Sequence, residues 1–312
     1  MSEEGRFYKM TPRLMPRVWG GHRLDRMFGG ALFEQPIGEA WLVADLPEGA
    51  STVADGRTLT DVVREHGQSM HGAFGDRFPL LVKVIDAEAD LSIQVHPGPD
   101  DVAYFEGARS KDECWLILDA RPGATIYLGF KAVYSESQVL EALEAGTITK
   151  LLREVPVEAG DVFRIPPGTV HAIRRGITLL EVQEPSDTTF RVYDYGRPGL
   201  DGLPRPLHVE EALQVAQLNV AKSSPARVLG PWTVHAVGNH YAMLQTTLDG
   251  PLEMAWQGPY VVVALDEVEV STASQSETLA PLECVVVPSA TRVTVVGTGR
   301  VVVALSHVPR DL

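Results

Sequence analysis

Cysteine is nearly absent: Cys114 and Cys284 are the two in 312 residues, and no C-x-x-C pair occurs. A disulfide framework and an all-thiolate zinc site are therefore excluded, and such usage suits a reducing compartment, with the cytoplasm as the expected location. Long hydrophobic runs are missing too, since no stretch of about 18 apolar residues appears and the opening MSEEGRFYKMTPRL is too polar for a signal peptide. Neither secretion nor a membrane partner is expected. Basic blocks are also lacking, and 27 Lys+Arg against 41 Asp+Glu leave a formal charge of −14, a field that repels nucleic acid. No G-x-G-x-x-G or G-x-x-x-x-G-K-S/T string occurs, so nucleotide and dinucleotide binding have no motif behind them.

What the chain does contain is turns: 28 Gly and 22 Pro within an ordinary 45% hydrophobic composition describe a folded, loop-rich protein. Its length exceeds the usual domain of roughly 100–200 residues, so two units are expected. Residues 1–75 read as largely irregular, with glycine turns at Trp19–Gly21 and Phe28–Gly30 and a short helix over Leu59–His66. From Phe78 the texture changes to short β-type runs at 78–85, 91–96, 113–119, 124–130, 161–166, 177–184 and 190–195, which predict a sandwich or barrel. One helical insert is expected near 135–153, where Ser135 and Gln138 form a capping box and Val139, Leu140, Leu143, Leu151 and Leu152 supply an apolar face. A second helix is expected over Val209–Ala216, followed by a break at Lys222–Pro225 and five more β-like runs. The expected architecture is mainly β: residues 1–222 as a catalytic domain with a helical insert, and 223–312 as a smaller C-terminal β domain.

Four constellations carry chemistry. Strand alternation in Leu91–His96 puts Ser92, Gln94 and His96 on one face and Leu91, Ile93 and Val95 on the other. In Lys111–Trp115, Lys111 and Glu113 share a face while Cys114 points away; the apolar WLILD that follows suggests a central strand. Gly160-Asp-Val-Phe-Arg-Ile-Pro-Pro-Gly-Thr-Val-His171 carries Gly, five residues, Pro, one residue, Gly, two residues and His, the second motif of the cupin superfamily, and predicts a jelly-roll barrel. In the stretch 179–193, Glu181 and Gln183 share a face, as do Arg191 and Tyr193 beyond the Pro185–Asp187 turn. Gln94, His96, Glu113 and His171 together make a nitrogen and oxygen ligand set suited to zinc or another borderline divalent ion; two His and one carboxylate equally suit non-haem iron.

The strings PRVWGG (16–21), GEAW (38–41), FPLLVKVIDAEADLSIQVHP (78–97), KDECW (111–115), GDVFRIPPGTVHAI (160–173), LLEVQEPSDTTFRVYDYGR (179–197) and RPLHVEEAL (205–213) resemble the type I mannose-6-phosphate isomerases, in their short bacterial form. The resemblance implies a cupin-type isomerase with one zinc ion per chain, interconverting mannose 6-phosphate and fructose 6-phosphate through a cis-enediol. It places the metal ligands on Gln94, His96, Glu113 and His171, the catalytic arginine on Arg191, and substrate contacts on Lys83, Ser92, Lys111, Glu181 and Asp187. The proton-transferring base stays open among Glu181, Asp187 and a metal-bound water. Competing readings are an iron-dependent cupin oxygenase and a non-catalytic sugar-phosphate-binding cupin. The substrate is itself anionic, so Lys83, Lys111 and Arg191, together with the zinc ion, are expected to make the pocket locally positive within an acidic protein.

Overall fold

The computed structural model describes residues 5–29, 32–72, 75–221 and 226–309; the expected break at Lys222–Pro225 and Gly30 of the second glycine turn lie outside them. Four antiparallel sheets stack face to face. The front sheet runs Leu152–Pro156, Thr125–Phe130, His171–Ile173, Ile93–Val95, Phe190–Tyr193 in spatial order. Behind it lies the site sheet, in the order Val162–Ile165, Glu113–Ala120, Ile177–Gln183, Leu81–Ala87, Ile37–Val43, Arg13–Gly21. An eight-stranded sheet follows, containing Ala242–Thr247, Tyr260–Ala264, Cys284–Val287 and Arg300–Leu305, and the chain's first strand, Tyr8–Thr11, pairs within it against Cys284–Val287. A four-stranded sheet built around Val268–Ser271 and Val293–Val296 closes the stack.

Side-chain alternation sorts these layers. On the site sheet, Ile85, Trp115, Ile117 and Leu179 pack forward against Ile126, Leu128 and Ile173 of the front sheet. Their neighbours Val82, Val84, Cys114, Leu116, Leu180 and Val182 pack backward against Val261, Val263, Val286 and Val302 of the eight-stranded sheet. That sheet's opposite face, Val262, Val285 and Val303, meets Val268, Val270, Val293 and Val295. Two sheets are thus covered on both faces, which is why their strands read as continuous Val- and Leu-rich runs rather than as alternating ones. The front sheet's outer face is covered by two helices, Glu136–Glu144 and Val209–Val215, through Val139, Ala212 and Val215 against Ile93, Val95 and Ala172.

The mainly β expectation holds, and helix Leu59–His66 forms over the expected residues. Residues 1–75 differ from expectation: Arg13–Gly21 and Ile37–Val43 are full strands of the site sheet. Their signal was hidden because the first slips register twice, at Pro16 and again before Gly21, and the second is buried at every position. The helix after Ser135 has the expected capping box but ends at Glu144, and Leu152 begins a strand instead of extending the apolar face. Gly146, at φ 63°, turns the chain out of the helix. Leu91 also leaves the strand phase, packing with Trp115 in the inner cluster while Ile93 and Val95 face the helices. Among the described residues no helix is long and apolar enough to cross a membrane.

The glycines of PRVWGG and GEAW have a shared steric cause. A Cβ at Gly20 would collide with the backbone of Ile37 and Gly38, and one at Gly38 would stand 2.6 Å from Arg17 and the Trp19 ring. Backbone cannot move aside as a side-chain tip can. Gly20→Ala is therefore expected to cost about 1–3 kcal/mol of stability, seen as a lowered urea midpoint; an unchanged midpoint would contradict this packing.

Candidate active site

Two rows of cross-strand neighbours face each other between the front and site sheets. On the site sheet the row is Trp41, Lys83, Glu181 and Trp115, each opposite the next. On the front sheet it is Arg191, Gln94 and His171. Lys83, Glu181, Gln94 and Arg191 of these rows border a cavity of about 610 Å³ whose wall also includes Arg17, Glu39, Ser92, Lys111, Asp187 and Arg205. That size suits a small-molecule ligand.

His96, Glu113 and His171 sit together behind Lys111 and Gln94, with potential ligand atoms all within 4.8 Å of one another. His96 Nδ1 lies 2.8 Å from the Thr188 carbonyl and His171 Nδ1 2.8 Å from the Thr169 carbonyl. A carbonyl only accepts, so each ring carries its proton on Nδ1 and turns an Nε2 lone pair inward. His171 Nε2 is 3.2 Å from Glu113 Oε1, and His96 Nε2 is 3.6 Å from Glu113 Oε2. Two acceptors this close, one of them a buried carboxylate oxygen with no hydrogen-bond partner, match what a divalent cation satisfies. The residues present therefore fit a metal of the zinc type. Gln94 stands beside them, its amide nitrogen 3.3 Å from His171 Nε2 and its carbonyl oxygen accepting from Ser92 Oγ at 3.3 Å.

Lys111 bridges cluster and cavity: its ammonium donates to Glu113 Oε2 at 2.6 Å and lies 3.1 Å from His96 Nε2. The alternation expected for Lys111, Glu113 and Cys114 is observed, and Glu113–Ala120 is a central strand with neighbours on both sides. Burial, with Lys111 and the other imidazole, holds His96 well below the ordinary histidine range. Burial likewise brings His171 down to about 4. Both rings are thus neutral near pH 7, the form that binds metal.

Glu181 accepts from Trp115 Nε1 at 2.8 Å and lies 3.6 Å from Lys83. Burial and the nearby Glu113 push its carboxyl up to about 7. Lys83 also lies 3.2 Å from Asp187 and sits over the Trp41 ring, and its carboxylate neighbours raise its pKa despite burial. The wall is consequently mixed in sign rather than simply positive, because Glu39, Glu181 and Asp187 surround Lys83. Arg191 is different: it donates to the Pro206 carbonyl at 2.7 Å, its buried Nε has no partner, and no ion pair to a carboxylate is seen for it among the described residues.

Every residue expected at the site from the sequence is here, either on the cavity wall or in the cluster behind it. Several wall residues and supports were not singled out, Arg17, Glu39, Trp41 and Arg205 among them. Arg17 pairs with Glu39 at 2.8 Å, Trp41 Nε1 donates to the same carboxylate at 2.6 Å, and Arg205 pairs with Asp194 at 2.9 Å. Burial would raise Glu39, but Lys83 and Arg17 bring it down to about 2. The signal was present in the strings PRVWGG, GEAW and RPLHVEEAL, which hold these residues but show no spacing that marks a site.

The description phosphomannose isomerase type I, catalytic domain, matches residues 7–119. The chain is 35% identical over 268 residues to mannose-6-phosphate isomerase of Streptococcus mutans, covering 82% of this chain and 83% of that protein. It is 40% identical over 223 residues to mannose-6-phosphate isomerase ManA of Bacillus subtilis, covering 70% of each. The chain belongs to the type I phosphomannose isomerase family. The crystal structure of mannose 6-phosphate isomerase from Bacillus subtilis superposes with a TM-score of 0.86 at 30% identity, covering 96% of this chain and 99% of that one. Within this family member, the matched catalytic segment ends at Asp119, so His171, Glu181 and Arg191 join the site from strands beyond it and Asp187 from the turn between two of them.

The depressed His171 has a measurable consequence. Above pH 6.5 the ring is neutral folded or unfolded, so it adds no pH dependence. As pH falls from 6.5 toward 4 the unfolded chain gains a proton that the folded protein refuses, and stability drops. Chelator-treated protein is expected to lose about 3 kcal/mol through this group across that window, and His171→Gln should show a flatter acid limb in urea unfolding. Parallel limbs for the two proteins would refute it.

Proposed function

We propose that this protein is a zinc-dependent aldose–ketose isomerase interconverting mannose 6-phosphate and fructose 6-phosphate through a cis-enediol. The observation that carries this reading is the facing acceptor set of His96, Glu113 and His171, placed next to a buried carboxyl poised near neutrality and an arginine with no carboxylate partner among the described residues. The names of the homologues supply the substrate. His96, Glu113 and His171 would hold the ion, with Gln94 as a neighbouring fourth donor. Zinc bound there supplies Lewis-acid polarisation of the sugar carbonyl.

The chain's own residues do the rest. Glu181 is the best-suited proton carrier between C1 and C2, since an acid with a pKa of about 7 both accepts and returns a proton at neutral pH. Lys83 and Trp115 hold that carboxyl in place. Arg191 offers unsatisfied donors to enediolate charge, while Ser92, Lys111 and Asp187 contact sugar hydroxyls. Arg17 and Arg205 add cationic wall for the phosphate. Residues 1–222 are taken as the catalytic unit because the cavity-lining residues all precede position 207.

The decisive experiment pairs metal analysis with a coupled assay. Purified protein should carry zinc and turn over mannose 6-phosphate, lose activity with chelator and regain it with zinc; bound iron without isomerase activity would favour an oxygenase instead. Glu113→Gln should abolish both metal binding and turnover. Arg191→Ala should lower kcat about 10²–10³-fold while retaining zinc and ligand binding. If Arg191→Ala turned over like the wild type, the assigned role would be wrong.

A further inference from the structure

Between Lys111 on the cavity wall and Glu113 in the cluster behind it, Asp112 points the opposite way, toward Tyr241. Its carboxylate is fully buried. Arg164 grips it with two donors, Nη2 to Oδ2 at 2.6 Å and Nε to Oδ1 at 3.3 Å. The third donor comes from the far part of the chain: Tyr241 OH to Asp112 Oδ1 at 3.1 Å. Tyr241 is itself fully buried and immediately precedes the strand Ala242–Thr247. The largely aliphatic layer around it has no packing need for that hydroxyl, and a buried hydroxyl is costly unless bonded.

The backbone around Asp112 is equally fixed. Its N–H donates to Glu184 Oε2 at 3.0 Å and its carbonyl accepts from the Glu184 N–H at 3.1 Å. Ser110 Oγ donates to the same Glu184 carboxylate at 2.7 Å, and the Lys111 N–H donates to the Pro97 carbonyl, next to His96, at 3.1 Å. Any tilt of Asp112 therefore turns Lys111 and Glu113, its covalent neighbours on the cavity side.

We infer that Tyr241 is a positioning residue for the isomerase site, acting through Asp112 and Arg164 to fix how Glu113 and Lys111 are presented to the metal and substrate. The second β unit is then part of the active-site machinery, one residue removed from the chemistry. This rests on the function proposed above.

The test uses the full chain with Tyr241→Phe, which deletes the hydroxyl and keeps the ring. Zinc affinity is read by competition with a chromogenic chelator, alongside kcat, KM for mannose 6-phosphate and thermal unfolding. Supporting contacts of this kind typically change metal affinity or activity by roughly 10-fold or more, so Y241F should bind zinc roughly 10-fold more weakly and lose kcat by a similar factor, with KM nearly unchanged. Val303→Ala, a cavity on the opposite face of the same sheet, supplies the structural control: it should lower the unfolding temperature yet leave zinc affinity and kcat near wild type. Should Y241F not fold, Arg164→Lys, which keeps the charge but loses the two-pronged grip, should give the same loss of zinc affinity and kcat. Wild-type zinc affinity and kcat in Y241F, or losses matched by V303A, overturn the positioning role. A wild-type protein that neither binds zinc nor turns over substrate overturns the proposed function as well.

Discussion

The carboxylate of Glu113, without solvent exposure in the cluster behind the cavity wall, sets the terms for everything packed around it. A buried charge of this kind costs several kcal/mol unless countercharge and donors surround it. Lys111 supplies one, and the inward lone pairs of His96 and His171 leave the remaining oxygen to be satisfied by a cation. The same charge reaches Glu181 and helps push its proton affinity toward neutrality. Burial accounts for most of the Glu181 shift and Glu113 adds to it, so one buried carboxylate contributes to both the metal-type cluster and the neighbouring carboxyl that can exchange a proton.

A sheet buried on both faces makes this arrangement possible. Alternate residues of the site sheet go forward to the chemistry, as Lys83, Glu113 and Glu181 do, or backward into an apolar layer, as Val82, Cys114 and Val182 do. The backward face is closed by strands from the far end of the chain, while the first strand of the protein pairs among them. The apolar layer anchors the polar face, so the polar groups can be held in fixed geometry despite their mutual repulsion. Asp112 and Arg164 form a charged pair on the backward face, and the further partner Tyr241 comes from the segment that leads into the eight-stranded sheet.

Much of the site could be read directly. The period of two placed Lys111 with Glu113 and Glu181 with Gln183, and the cupin spacing located His171. What escaped notice were strands whose pattern carries no alternation: Ile37–Val43 is buried throughout, and Arg13–Gly21 is interrupted by Pro16 and paired glycines. With those strands unseen, Arg17, Glu39 and Trp41 had no assigned face, although they form the wall beside Lys83. The expectation of a locally positive pocket counted Lys83, Lys111 and Arg191 and left out Glu181 and Asp187, the carboxylates that fold against Lys83, so the wall itself is mixed in sign.

The sequence by itself determined the β architecture, the candidate ligand types and the family, since each depends on residue identity at short spacing along one strand or turn. The tertiary structure alone decided which of these groups converge and in what protonation state. Convergence depends on strand order between distant segments, and protonation depends on burial and on charges brought within a few ångströms. Neither quantity is local in the chain, so His171 became a neutral donor, Glu181 a near-neutral acid and Tyr241 a neighbour of the site only once the sheets were stacked.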